Sequence, residues 1–268
     1  MDPARNKEML TQEVIQKLEY FSKLYGIESL FIAGGYCRDL YMGRVGKVND
    51  IDIASAYPNQ AAEFGGLFAS EVLNKTPIFN NRIGTAKIIY PSLSGEIKIE
   101  FQGKSPMAYM YNQEVREWLH KKGIADEPIM HNIYGRDFTI NSLIYSLHNE
   151  SMYDLTDRAV QDIKDKRIVP LLPAWMLVKH NPLVILRAIR FAVTYDFKIG
   201  INFRTEIKNG YDILLSSVSE DRIVKEIVRI LKIDTKKAID LFQNLEIEKI
   251  LLNPKIKDHI TNESQRDE

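Results

Sequence analysis

The chain is short of cysteine: among 268 residues only Cys37 carries a thiol. A lone thiol closes no intramolecular disulfide, so a reducing, cytoplasmic setting is the simpler expectation. Long hydrophobic runs are also missing. No stretch approaches the roughly 20 apolar residues that a membrane span requires, which argues against a helical membrane protein. The opening MDPARNKEML has no apolar run of signal-peptide length. Nor does one sign of charge dominate. Thirty-six Lys and Arg balance 36 Asp and Glu, so no global field draws the protein to nucleic acid and any RNA contact must come from local basic patches. Internal repeats are lacking, and the polar tail Thr261–Glu268 is expected to fray.

What remains is an ordinary globular composition, 45% hydrophobic and 27% charged. Two textures follow one another. From about residue 28 to 170, β-rich runs (Ser29–Ala33, Asp50–Ala54, Arg82–Tyr90, Glu96–Gln102) alternate with helical stretches and turns. Pro58–Lys75 predicts a helix with proline in its first turn, and Pro91–Gly95 a hairpin loop. After Pro170 the strands are expected to stop. Ala174–Tyr195, Phe203–Leu215, Glu220–Leu231 and Thr235–Leu252 predict successive amphipathic helices. An α+β first part followed by a helical one is the expected architecture.

The chemistry-bearing residues begin with Gly34-Gly35, between an apolar strand and a short helix from Tyr36 to about Met42. Such a turn lets backbone N–H groups approach a polyphosphate, and Arg38 in the first helical turn could add a charge-assisted contact. A tight turn needing positive φ would use the same glycines. Asp50 and Asp52 follow on a strand, where residues i and i+2 share a face, so both carboxylates converge while Ile51 and Ile53 point into a core. Two such carboxylates repel unless a cation joins them, and magnesium takes hard oxygen ligands of this kind together with phosphates. A third carboxylate would complete a site for two metal ions. Glu100 is the choice and Glu96 the fallback, because both share a face of the strand Glu96–Gln102.

These residues lead into a wider resemblance. Gly34-Gly35-Tyr36-Cys37-Arg38-Asp39 followed by Asn49-Asp50-Ile51-Asp52-Ile53-Ala54-Ser55 resembles the signature of class II tRNA nucleotidyltransferases (CCA-adding enzymes) and bacterial poly(A) polymerases. Arg82–Ala86 resembles that family's Gly-Thr strand. Arg136-Asp137-Phe138-Thr139-Ile140-Asn141 is similar to its RRDFTIN motif, with Gly135 in place of the first arginine. Leu186–Ala192 resembles its LRAIRFA segment, and Ser219–Leu231, with Arg222 and Glu226, its neck-closing helix. The match runs in order from about residue 28 to 232.

The resemblance implies an α+β fold: a DNA polymerase β-like nucleotidyltransferase head (residues 1–170), then an all-helical neck (171–268), with a short or missing body and tail. It implies nucleotide addition to an RNA 3′ end, with a nucleoside triphosphate as substrate and tRNA as the first-choice acceptor. Asp50 and Asp52 would bind two Mg2+ ions, with Glu100 as the third catalytic carboxylate. Gly34, Gly35 and Arg38 would cradle the triphosphate. Asp137, with Arg136 beside it and Asn141 one turn on, would recognise the ribose 2′-hydroxyl. RDFTIN is also expected to open an apolar helix with Asp137 as its N-cap.

The sequence departs from the family at the base-reading motif E-D-x-x-R. His180-Asn181-Pro182-Leu183-Val184 stands there, with Asn181 at the aspartate and Val184 at the arginine. Asparagine still accepts and donates a hydrogen bond, whereas valine does neither. Base choice is therefore expected to be relaxed, shifted or read by another residue such as His180. Arg187 and Arg190 are better placed for phosphates. Lys179 to Lys232 holds ten basic against six acidic residues, a modest patch for RNA. The aromatic segment Met107–Trp118 either packs a core or stacks on a terminal base, while Tyr57, His120 and His131 have no metal-ligand spacing. Because body and tail are short, a protein partner supplying RNA grip, a smaller acceptor, or nucleotide transfer to a protein or small molecule stay open. Poly(A) addition is a further alternative. Outside the enzymes, the competing class is an inactive nucleotide- or RNA-binding module.

Overall fold

The computed structural model describes residues 3–44, 50–80, 84–92, 95–103, 110 and 112–254. Contacts divide the chain into two compact units, residues 1–160 and 161–268. The expected junction at residue 170 lies inside the second.

The first unit runs α1 (Pro3–Leu24), β1 (Leu30–Ala33), α2 (Gly35–Tyr41), β2 (Asp50–Ser55), α3 (Gln60–Leu73), β3 (Ile78–Asn80), β4 (Thr85–Ser92), β5 (Gly95–Phe101), α4 (Gln113–Lys121) and α5 (Pro128–Tyr134). A 3-10 turn (Thr139–Asn141), β6 (Ile144–Ser146) and β7 (Ser151–Tyr153) follow, and α6 (Ala159–Lys164) runs across the division at residue 160. Its seven strands form one sheet in the order β3-β4-β5-β2-β1-β6-β7. Every neighbouring pair is antiparallel except β2 and β5.

Alternation along these strands sorts the residues by face. Ile51 and Ile53 of β2 pair with Ile99 and Phe101 of β5, and all four side chains are fully buried. Helix α3 supplies Phe64 and Phe68, whose rings lie 6.1 and 6.4 Å from that of Phe101. Gly65 makes this approach possible, because a Cβ there would come within 2.6 Å of the Phe101 ring. Helix α1 buries Leu10, Val14 and Leu18, spaced four apart, and sets Phe21 edge-on against Phe68. One face of the sheet is thus roofed by α1 and α3, leaving the alternate residues of β2, β4 and β5 on the other. Helix α2 packs beside β1, where Cys37 is fully buried and donates its thiol to the Ile32 carbonyl at 3.3 Å.

Several expectations shift. Pro58 precedes α3 instead of lying in its first turn, and neither α1 nor the exposed edge strand β3 is among the expected elements. Asn81, Arg82 and Ile83, and the hairpin residues Leu93 and Ser94, lie outside the described residues.

The second unit contains β8 (Arg167–Ile168), α7 (Ala174–His180), α8 (Val184–Tyr195), β9 (Lys198–Ile199), α9 (Ile201–Asn209), α10 (Tyr211–Ser217), α11 (Glu220–Ile233), α12 (Thr235–Asn244) and a 3-10 turn (Glu248–Leu252). Strands do not stop at Pro170, since β9 pairs in parallel with β8. The helix expected over Ala174–Tyr195 breaks at Asn181-Pro182: proline lacks the N–H and drives the preceding residue out of helical backbone, to φ −145° at Asn181. Gly210 splits the next expected helix into α9 and α10. A Cβ there would come within 2.3 Å of Val178 Cγ1, so the backbone needs the missing side chain. The core joins α8 (Ile185, Leu186, Ile189) to α11 (Ile223, Ile227, Ile230) and α12 (Ala238, Phe242).

Candidate active site

Strand register brings the acidic residues together. Asp52 sits beside Ala33 of β1 on one side and Glu100 of β5 on the other, and Glu100 lies opposite Lys87 of β4. Ala33, Asp52, Glu100 and Lys87 therefore form a row across four strands, on the face opposite the α1–α3 roof. Asp50, one pleat away, is level with Lys98. Glu96 pairs with Pro91, beyond the reach of the β2 ladder. Of the two candidate third carboxylates, Glu100 is the one the fold sets next to Asp52.

The electrostatics follow from this crowding. Burial raises the Asp52 carboxyl above its ordinary value, the Arg136 guanidinium opposes that rise, and the charges of Glu100 and Asp50 add to it. Lys87 Nζ lies 2.7 Å from Glu100 Oε2. Its ammonium is held above the usual lysine value, first by that hydrogen bond and then by the Glu100 charge, with Asp52 and Asp50 adding. Among the described residues, no group of three or more His, Cys, Asp or Glu side chains is arranged to hold a metal ion. Asp50 and Asp52 form a pair, and the neighbouring Glu100 is engaged by Lys87.

Gly34 closes the site from the β1–α2 turn. Its φ of 81° belongs to the left-handed side, and a Cβ there would lie 2.9 Å from Arg136 Nη1 and 3.4 Å from Asp52 Oδ2. Any side chain here would strain the backbone and would have to push the Arg136 guanidinium aside. Arg136 Nη2 donates to Asn132 Oδ1 at 3.0 Å, and Asn132 Nδ2 donates to Gln102 Oε1 at 2.5 Å. These last two positions were not among the sequence-derived candidates. Asn132 lies in the last turn of α5 and Arg136 just past its end, so their meeting depends on how the chain leaves the helix.

Arg38 is buried, at 5% exposure. Its Nε and Nη2 fork onto Asp39 at 3.1 Å each, and its Nη1 donates to Asn141 Oδ1 at 2.5 Å. Asn141 Nδ2 donates in turn to Asp137 Oδ1 at 2.7 Å, and that oxygen also accepts the Phe138 N–H at 2.9 Å. The guanidinium expected to face phosphates thus helps to position Asn141 and Asp137. RDFTIN opens no apolar helix: Phe138 is extended, Thr139–Asn141 make one 3-10 turn, and the chain passes into β6. Asp137 is therefore not a helix N-cap. Its bonds to Phe138 and Asn141 close a local turn, a side-chain alternative to helix.

The second unit presents its candidates differently. Asn181 ends α7, and its carbonyl accepts the Val184 N–H at 2.9 Å. Val184 is fully buried at 0% exposure. Arg187 lies with its guanidinium 5.7 Å from the Phe191 ring. Arg190 donates its Nε to Glu226 Oε1 at 2.6 Å and covers Phe191 at 4.6 Å. Glu226, 6% exposed, also meets Arg229 at 3.4 Å. In α8 the arginines expected to meet phosphates are occupied by aromatic and carboxylate partners. Of the aromatic segment, residues 104–109 and Tyr111 lie outside the described residues, while Trp118 packs edge-on against Tyr134 at 6.3 Å. His131 pairs with Asp126 at 2.7 Å, and no membrane-crossing helix occurs among the described residues.

Comparison with known proteins matches these elements. The poly A polymerase head domain family matches residues 30–169, more than half of the chain. A CCA-adding enzyme of Lactococcus lactis subsp. cremoris (strain MG1363) is 26% identical over 274 residues, covering 96% of this chain and 63% of the relative. The chain therefore spans less than two thirds of that protein. The Thermotoga maritima CCA-adding enzyme complexed with tRNA superposes with a TM-score of 0.69 at 24% identity, over 89% of this chain and 52% of the other. A CCA-adding enzyme in complex with ATP superposes with a TM-score of 0.67 at 24% identity, over 94% and 54%. The aspartate pair on β2, the glycine turn beside it and the match across 30–169 make this chain a member of the class II tRNA nucleotidyltransferase and poly(A) polymerase family.

Proposed function

We propose that this protein transfers nucleotides from a nucleoside triphosphate to the 3′-hydroxyl of an RNA, with tRNA as acceptor, releasing pyrophosphate. The observation that carries the reading is the row in which Asp52 stands between the Gly34 turn and Glu100, with Asp50 one pleat away. Residues 1–170 act as head and 171–268 as neck in this reading. An RNA acceptor and a buried lone thiol fit a cytoplasmic setting.

The donor set suits magnesium, a hard ion that binds through one or two carboxylates plus substrate phosphates. Asp52 supports this directly, because its charge is disfavoured by burial and by two neighbouring carboxylates until a cation arrives. Asp50 and Asp52 would hold two Mg2+ ions, with Glu100 alongside. When bound, such ions lower the pKa of an attacking hydroxyl and stabilise the leaving pyrophosphate.

The chain's own residues do the rest. Gly34 and Gly35 let a triphosphate approach the backbone, with Arg136 adjoining. Asp137 accepts the ribose 2′-hydroxyl, and the Arg38–Asn141 bond fixes the carboxylate's orientation for it. Base choice departs from strict C and A selection, since Asn181 keeps one polar partner and the buried Val184 supplies none. Nucleotide transfer to a protein or small molecule remains the second reading, favoured by that same pair.

Incubation with tRNA lacking its 3′ end, Mg2+ and each NTP separately, followed by sequencing of the extended ends, tests the reading. Extension dependent on Asp50 and Asp52 is expected. No transfer to any RNA from any NTP would refute it.

A further inference from the structure

Lys87 has no part in the roles assigned so far, yet it stands at the end of the catalytic row. The two strands fix it opposite Glu100, and the parallel β2–β5 pair fixes Glu100 beside Asp52. The ammonium reaches Glu100 Oε2 at 2.7 Å, with the lysine and glutamate side chains 53% and 37% exposed. The contact therefore faces solvent and can open without disturbing the core.

A carboxylate that gives an oxygen to an ammonium has less to offer a divalent ion. An ammonium also repels any cation gathered on Asp52 next door. Magnesium would then be retained mainly when triphosphate oxygens complete its shell. Resting on the reading that Asp50 and Asp52 hold the metal, we propose that Lys87 is a built-in counter-ion of Glu100. It weakens divalent-metal binding to the free protein and makes metal retention depend on the arriving nucleotide.

Mn2+ binding to the nucleotide-free protein, followed by electron paramagnetic resonance of the unbound ion, tests this without an activity assay. K87M is expected to bind Mn2+ about fivefold more tightly than the parent, with a gap that narrows as salt rises. K87R, which keeps the charge, is expected to bind like the parent. In an E100Q background, K87M is expected to lose most of its effect. K87Q gives the same charge removal if K87M misfolds. Equal Mn2+ affinity in the parent and the charge-removed variant would overturn the proposal, as would absence of binding in both. A D50A/D52A double variant separates the two readings. Binding that survives it overturns the metal assignment itself. Binding that is lost there but unmoved by K87M overturns only the role of Lys87.

Discussion

The two units treat their charged residues in opposite ways. In residues 1–160, carboxylates that repel one another are held side by side on β2 and β5, and burial raises the pKa of Asp52. In residues 161–268, Arg190 and Arg229 converge on one glutamate, and the position expected to carry a base-reading arginine is a fully buried valine. A site built for a substrate keeps charges in tension. A packing unit resolves them. The contrast teaches that the carboxylates on which the proposed nucleotidyl transfer rests stand in the first unit, while in the second the position that resembles a base-reading arginine, Val184, is core.

The sharpest way to break this contrast is to remove the tension. The D50A/D52A double variant is expected to lose on the order of 10³-fold or more in nucleotide incorporation, measured with labelled NTP on RNA. Its far-ultraviolet circular dichroism should not change. Retained incorporation would mean that the row is not the reacting centre.

Next comes an attempt to rebuild the reading motif. Val184→Arg forces a guanidinium into a site with no exposure, at an expected cost of about 3 kcal/mol or more. The helical unit should lose its cooperative thermal transition. A well-folded V184R with restored selectivity would show that the second unit has not committed this position to packing. Asn181→Asp is the milder companion and should alter NTP preference by less than about tenfold without loss of stability.

Breaking a resolved charge should cost less. Glu226→Gln leaves Arg190 and Arg229 without their shared carboxylate, for an expected loss of about 2 kcal/mol and a Tm roughly 4–8 °C lower. Calorimetry that finds no change would reduce this cluster to a surface ornament.

The smallest effect has the opposite sign. The folded pKa of Asp52 is raised above 3.8, so the folded state binds this proton more tightly than the unfolded chain does. Metal-free stability should therefore fall as pH rises from 3.8 through the raised value. At pH 7 Asp52→Asn is expected to raise the metal-free Tm by roughly 2–4 °C while abolishing activity. A lower Tm would mean that the Arg136 attraction outweighs burial.

Legibility tracked locality. The period-2 pattern of Asp50–Ala54 announced a strand and the shared face of its two aspartates, because alternation is a property of the backbone alone. The pairing of Glu100 with Asp52 needed the strand order, which no spacing within β5 reveals. Lys87 stayed invisible for the same reason: its partner lies across the β4–β5 hairpin. RDFTIN misled because a good capping residue and a run of apolar positions look helical, whereas the Asp137–Asn141 bond closes a single turn. The breaks at Asn181-Pro182 and Gly210 were written in residue type, but the close approach to Val178 that requires Gly210 is a tertiary fact.

Cys37 has a practical consequence. Its thiol is fully buried, bonded to the Ile32 carbonyl, and pushed up to about 12 by burial. At neutral pH it is a thiol and not a thiolate, hidden from alkylating reagents. For maleimide chemistry the native chain therefore behaves as cysteine-free. A single cysteine introduced on any exposed position gives a uniquely labelled protein, and a pair, one in each unit, gives a ruler for following both as nucleotide and RNA are added.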